Sequence, residues 1–228
     1  MSSKFTDQVF KRVEPLWEAY LDHPFVKGIG DGTLDKEKFK HYLKQDYIYL
    51  IEYSRIFAIG ASKSKDLKSM TMFADLLHGT MNYEMDLHRE YADQFGISNQ
   101  ELEATKPSAT MTAYTSYMLN KAQLGGVENA TAAVLACAWS YNYIGKKLAK
   151  LPGAVDHEFY GNWVKMYSSE EFTKIANDCK DLLNELTAEK SVDELKELEE
   201  IVVQTSNFEY MFWEMAENIS DWPVSPRV

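Results

Sequence analysis

Two cysteines, Cys137 and Cys179, are the only thiols in 228 residues. They cannot supply a disulfide framework or a four-thiolate zinc site. Eleven glycines and six prolines are too few for the many turns of an all-β protein. No apolar run approaches the roughly 20 residues that cross a bilayer, so no membrane span is expected. Cationic side chains are also in deficit: 24 Lys and Arg stand against 35 Asp and Glu, a formal net charge of −11. A nucleic-acid surface would need a basic patch, and the nearest thing to one is GKK at 145–147. The opening MSSKFTDQVFKRVEPLWEAY alternates charged and apolar residues, unlike a secretory leader. A reducing, cytoplasmic setting is therefore expected. No Gly-x-Ser-x-Gly elbow marks a serine hydrolase. GIGDGT at 28–33 has neither the Lys-Ser/Thr nor the preceding strand of a phosphate loop.

What is present is helical spacing. A first helix is predicted from Phe5 to about Leu21, with Phe10, Val13, Trp17 and Tyr20 or Leu21 on one face and a bend or break at Pro15. A long helix from about Leu34 to Ala61 aligns Phe39, Leu43, Asp46, Tyr49, Leu50, Tyr53 and Phe57. A third runs from about Leu67 to Phe95 and stops at Gly96. Capping-box patterns stand at Ser98/Glu101, Ser168/Glu171 and Ser191/Glu194. Helices follow at about 108–123, around Cys137, around Trp163 and Tyr167, and at about 169–187 and 192–219, before DWPVSPRV ends the pattern with prolines. The expectation is an all-α, single-domain bundle of roughly nine helices over residues 1–228, with short connections.

Polar residues on apolar faces carry the functional signal. Asp46 sits mid-helix among aromatics, one turn from Tyr49. It is either a solvated edge residue salt-bridged to Arg55 or Lys44, or a buried carboxylate with a task. Cys137 lies in VLACAWSYNYIG (134–145), one turn from Tyr141, beside the small Ala133, Ala136 and Ala138. A buried structural cysteine and a reactive one both fit that segment, and free cysteine is commonly buried. A thiol of ordinary pKa near 8.5 is only a few per cent thiolate at neutral pH, so a nucleophile there needs a proton-handling neighbour. In SNFEYMFWEMA (206–216), Glu209 shares a face with Phe212. If buried among Phe208, Met211, Phe212 and Trp213 it would hold its proton; if exposed it is one charge of an amphipathic helix. Glu214 falls on another face.

Glu84 and His88 lie four apart, and Asp75 and His78 three apart, which invites a metal reading. Di-iron bundles need two Glu-x-x-His segments plus two more glutamates, and no Glu-x-x-His occurs here. Glu84–His88 reads instead as an intrahelical hydrogen bond or an interhelix tie, and no metal or cofactor is expected. Fourteen tyrosines, many on inner faces, together with a few acids suggest a pocket for a flat, polar, nitrogen-bearing ring. Two other classes fit a helical bundle: a di-iron oxidase, and a ligand carrier or regulator without catalysis.

QDYIYL (45–50), Tyr114, CAWSYNYIG (137–145), WVKMY (163–167) and FEYMFWEMA (208–216) occur in this order across nearly the whole chain. Together they resemble the thiaminase II (TenA) family, in its cysteine-containing branch. The resemblance implies a haem-oxygenase-like bundle without haem, assembled as a cytoplasmic homotetramer. It further implies hydrolysis of thiamin or of 4-amino-5-aminomethyl-2-methylpyrimidine to the hydroxymethyl pyrimidine, in thiamin salvage. Carried over by motif, Cys137 would be the nucleophile that adds to the ring and Glu209 the acid. Tyr49 would sharpen the thiol, and Asp46 would grip the aminopyrimidine edge. Tyr141 and Tyr167 would contact substrate, Tyr114 would line the pocket, and Phe212 would pack beside the ring. Cys179 matches no motif and reads as structural.

Overall fold

The computed structural model describes residues 4–224, and no strand occurs among them. Eleven α-helices succeed one another along these residues: α1 Phe5–Asp22, α2 Pro24–Asp31, α3 Lys36–Lys63, α4 Leu67–Gly79, α5 Met85–Gln94, α6 Asn99–Ala104, α7 Ala109–Leu124, α8 Val127–Leu148, α9 Gly161–Ser168, α10 Glu170–Thr187 and α11 Val192–Glu217. A π-helical turn, Thr80–Glu84, joins α4 to α5, and a 3-10 turn, Ala154–Asp156, precedes α9.

Local chemistry explains where the helices begin and end. Asp35, Ser108, Ser169 and Ser191 accept hydrogen bonds from the first-turn amides of α3, α7, α10 and α11, satisfying donors that a helix cannot pair internally. The boxes at Ser98/Glu101 and Ser191/Glu194 form as expected. The third does not form: Ser169, not Ser168, caps α10, with Phe172 three residues on, so no glutamate returns the bond, while Ser168 turns back to the Lys165 carbonyl. Gly96, at φ 73°, comes after α5 as its left-handed stop.

Three expectations need correction. Pro15 lies within α1 without ending it. Pro24 starts a separate helix, α2, because proline suits a first helical turn whose amides are unpaired in any case. The helix expected over 67–95 is divided by the π-helical turn. The added α2 and the division of 67–95 raise the count from nine to eleven among the described residues. Of the closing DWPVSPRV, Ser225–Val228 lie outside the described residues.

Helix α8 runs through the middle of the molecule, packed against α3, α7, α9, α10 and α11. Its alanines at 130, 132, 133, 136 and 138 are buried, so neighbouring backbones approach closely. Helix α3 buries the stripe foreseen for it: Phe39, Leu43, Tyr49, Leu50, Tyr53 and Phe57, with Asp46 among them. Six such side chains at roughly 1.5–3 kcal/mol each outweigh the several kcal/mol of placing one carboxylate between them. Trp17 donates to Ser206 Oγ at 3.1 Å and Tyr20 to the Ser206 carbonyl, which fixes α11 against α1. Gln45 bridges the Lys106 carbonyl and the Ser108 amide at 3.0 and 2.9 Å, tying α3 to the start of α7 beside Asp46.

Gly145 lets α8 touch the end of α9. A Cβ there would stand 2.7 Å from the Tyr167 carbonyl carbon and 2.8 Å from its Cβ, and backbone on one side cannot yield cheaply. Gly145→Ala is expected to destabilise by about 1–3 kcal/mol, measured by urea unfolding, and to weaken ligand binding by displacing Tyr167. Unchanged stability would contradict this packing.

Candidate active site

Helical register delivers the side chains. Tyr42, Asp46, Tyr49 and Tyr53 form one stripe of α3 at intervals of four, three and four residues. Cys137 and Tyr141 lie one turn apart on α8, Trp163 and Tyr167 on α9, and Glu209 and Phe212 on α11. Tyr114 comes from α7. These faces meet in an aromatic interior: Tyr49 lies 5.3 Å from Tyr114 and 6.5 Å from Phe212, Tyr141 lies 4.7 Å from Tyr167, and Tyr42 lies 5.4 Å from Phe212 (ring centroids).

Glu209 occupies the middle. It is 1% exposed and accepts the Tyr114 hydroxyl at 2.7 Å. Burial, opposed by that hydrogen bond and reinforced by the charge of Asp46, raises its carboxyl to about 8. A carboxyl held there is an acid with a proton to give at neutral pH. Cys137 acts in the same lowering sense as Tyr114 on that carboxyl, as the smallest of the causes. Cys137 is half-buried; desolvation followed by the charge of Glu209 pushes its thiol well above its ordinary range, with Tyr49 acting the other way. The Tyr49 hydroxyl itself donates to Met118 Sδ at 3.9 Å. The group at Cys137 is thus held as a thiol.

Asp46 is 7% exposed, and among the described residues its one ion pair is with His88, Nε2 to Oδ2 at 3.4 Å. Neither solvent-side partner considered for it is engaged: Arg55 pairs with Glu52 and Lys44 with Glu101. Asp46 faces a cavity of about 440 Å³ lined also by Tyr42, Trp163, Tyr167, Glu84 and His88. Of the eight residues singled out by sequence, Asp46 and Tyr167 line this cavity, whereas Cys137, Glu209, Tyr49 and Tyr114 do not. Their charges register on the same groups, since Asp46 acts on both the Cys137 thiol and the Glu209 carboxyl.

The eight residues singled out by sequence are linked through these ring contacts, the Tyr114–Glu209 bond and the charges of Asp46 and Glu209, without all lining one cavity. Some details differ. Met211 is exposed and forms no part of the wall around Glu209. Glu84 and His88 do not bond to each other: Glu84 accepts from Thr80 at 3.1 Å, because the π-helical turn changes its bearing. Glu214 faces outward, as its register suggested, and reaches His23 at 3.2 Å. Cys179 is buried away from this cluster, its thiol pushed up to about 12 by desolvation.

Tyr42 and Trp163 were not foreseen as site residues. Trp163 donates to the Tyr42 hydroxyl at 3.2 Å, and Tyr141 and Tyr167 are further hydrogen-bond partners of that phenol. Tyr42 stands four residues before Asp46, a spacing that could have disclosed it.

Because the Glu209 carboxyl lies above its unfolded value of 4.5, the folded chain holds an extra proton between about 4.5 and about 8. The associated stability is complete below that window and is lost as pH rises through it. Glu209→Gln should flatten the fall in urea midpoint between about pH 5 and about pH 8.5. An unaltered slope would place the carboxyl in an ordinary environment.

Comparison with known proteins gives a consistent set of relatives. The TENA/THI-4/PQQC family model matches residues 10–218. An aminopyrimidine aminohydrolase of Halalkalibacterium halodurans is 51% identical over 218 residues, which cover 96% of this chain and 97% of that protein. A TenA homologue from P. horikoshii OT3 superimposes with a TM-score of 0.87 at 26% identity, covering 95% of this chain and 99% of the other. A Shewanella denitrificans OS217 domain described as having a heme oxygenase-like fold superimposes at 0.77 with 15% identity, over 94% and 92% of the two chains. That likeness concerns the fold alone.

Proposed function

The chain belongs to the TENA/THI-4/PQQC family, and from that premise we propose that it hydrolyses an aminomethyl pyrimidine in thiamin salvage through a covalent adduct on Cys137. The overall reaction replaces the exocyclic amine of 4-amino-5-aminomethyl-2-methylpyrimidine by hydroxyl, releasing ammonia. The observation that supports the mechanism is buried Glu209, held by the Tyr114 hydroxyl at 2.7 Å, an acid that keeps its proton and whose charge acts on the half-buried Cys137 thiol.

The steps derive from that pair. Asp46 accepts hydrogen bonds from the amino-pyrimidine edge, while Phe212, Tyr141 and Tyr167 close around the ring. Glu209 gives its proton to a ring nitrogen, which makes the ring electrophilic. Its carboxylate then stands beside Sγ and takes the thiol proton as the sulfur–carbon bond forms. Tyr49 lowers the thiol's pKa against its burial and so favours charge on sulfur during that transfer. Addition breaks the ring's aromaticity, so the ring nitrogen's electron pair can expel the amine and leave an exocyclic methylene. Water adds to that carbon and loses a proton, and the thiol departs with the proton returned through Glu209. The dry aromatic wall strengthens each of these interactions.

A single domain over the chain, assembled as a cytoplasmic homotetramer, belongs to the same reading. The exposed apolar residues Leu67, Met70, Met81, Tyr83 and Leu87 support assembly through the α4–α5 face. No described helix is long and apolar enough to cross a membrane.

Cys137→Ala should lower ammonia release by on the order of 10³-fold or more, with unfolding midpoint and hydroxymethyl pyrimidine binding retained. Full activity in that variant would exclude the adduct. In the native enzyme kcat/KM should fall as pH rises through about 8, where Glu209 gives up its proton. A rate that holds level through that range would remove Glu209 as the acid.

A further inference from the structure

The ring chemistry leaves two cavity residues unused. Glu84 ends the π-helical turn, and Thr80 Oγ1 holds one of its oxygens. The inserted turn rotates the succeeding residues by about 100° relative to an unbroken helix, and such turns are frequent at functional sites. His88, four residues on, is 8% exposed, and neither of its ring nitrogens has a hydrogen-bond partner among the described residues. A buried imidazole in that condition calls for an explanation. Its Nε2 is 3.4 Å from Asp46, an ion-pair distance without hydrogen-bond geometry. Asp46, Glu84 and His88 line one cavity. The entrance carries the further acids Glu90 and Glu171. Burial, then the charge of Asp46, raises the Glu84 carboxyl to about 7, so a bound cation would stabilise its charged form.

The proposed substrates share one property at the end that departs. An aliphatic amine is protonated at neutral pH, and the thiazolium of thiamin is permanently positive, whereas the hydroxymethyl product is neutral. We propose that Glu84, with His88 beside it, forms the leaving-group subsite, its carboxylate holding the cationic group attached to the ring methylene. This rests on the aminopyrimidine reading above. When the carbon–nitrogen bond breaks, nitrogen takes the electron pair and departs as neutral ammonia. The charge that Glu84 held is then gone from that position, and the alcohol is not retained by it. Glu84 is thus a specificity residue that favours charged substrate over neutral product.

The test uses the full chain carrying Cys137→Ala, so that binding is read without turnover. Calorimetric titration with the aminomethyl and the hydroxymethyl pyrimidine is compared with and without Glu84→Gln. The amide is isosteric and keeps the Thr80 contact, and the unfolding midpoint verifies the fold. Glu84→Gln should weaken the amine roughly tenfold and the alcohol less than about twofold. Equal weakening of both, or an amine affinity that does not change, would overturn the subsite. Ammonia release by the native chain is measured separately: its absence would count against the hydrolase reading, whereas the affinity ratio tests Glu84 alone.

Discussion

A carboxyl group walled off from water either finds a cation or keeps its proton, and Glu209 has no cation among the described residues. Its contacts are the phenol of Tyr114 and the thiol of Cys137, contributed by α7 and α8 to a residue of α11. The proton retained for this reason is a condition of folding and, in the proposed mechanism, the reagent. The neighbouring groups respond to the same constraint. The thiol stays protonated because the environment that protects the acid also disfavours thiolate, and the proposed mechanism has the two groups exchange one proton.

The aromatic shell is what keeps that constraint in force. Trp17, Trp163, Trp213, Tyr42 and Tyr114 are all fully buried, and Tyr114 bonds the acid directly. Most buried hydroxyls and indole nitrogens of the aromatic interior are paired internally, though Trp213 Nε1 is not: Trp17 donates to Ser206 Oγ at 3.1 Å, Tyr53 to the Val134 carbonyl at 2.9 Å, and Tyr160 to the Leu34 carbonyl at 2.6 Å. Polar satisfaction of this kind lets a bundle hold many phenols without admitting water.

Much of this could be read from the residues, because helical period is a local signal. The stripe on α3 and the capping boxes at Ser98 and Ser191 needed only spacing. What escaped were features set by tertiary geometry. The π-helical turn at Thr80–Glu84 leaves no periodicity of its own, so Glu84 and His88 read as partners when one turns to Thr80 and the other to Asp46. Pro15 carries an ordinary breaker signal that packing of α1 against α11 overrides. Single motifs were ambiguous for the same reason: Asp46, Cys137 and Glu209 gain meaning only from helices that lie far apart in the chain. Five motifs taken in order supplied what spacing could not, through resemblance to a family.

The protonation state of Glu209 can be observed without catalysis. Protein labelled with ¹³C at glutamate carboxyls, compared with Glu209→Gln to assign the signal, can be titrated by NMR. The carboxyl resonance of Glu209 should remain that of the acid at neutral pH and shift with a midpoint of about 8. A midpoint near the ordinary 4.5 would mean that the proton is absent when the reaction needs it, and the account would fail.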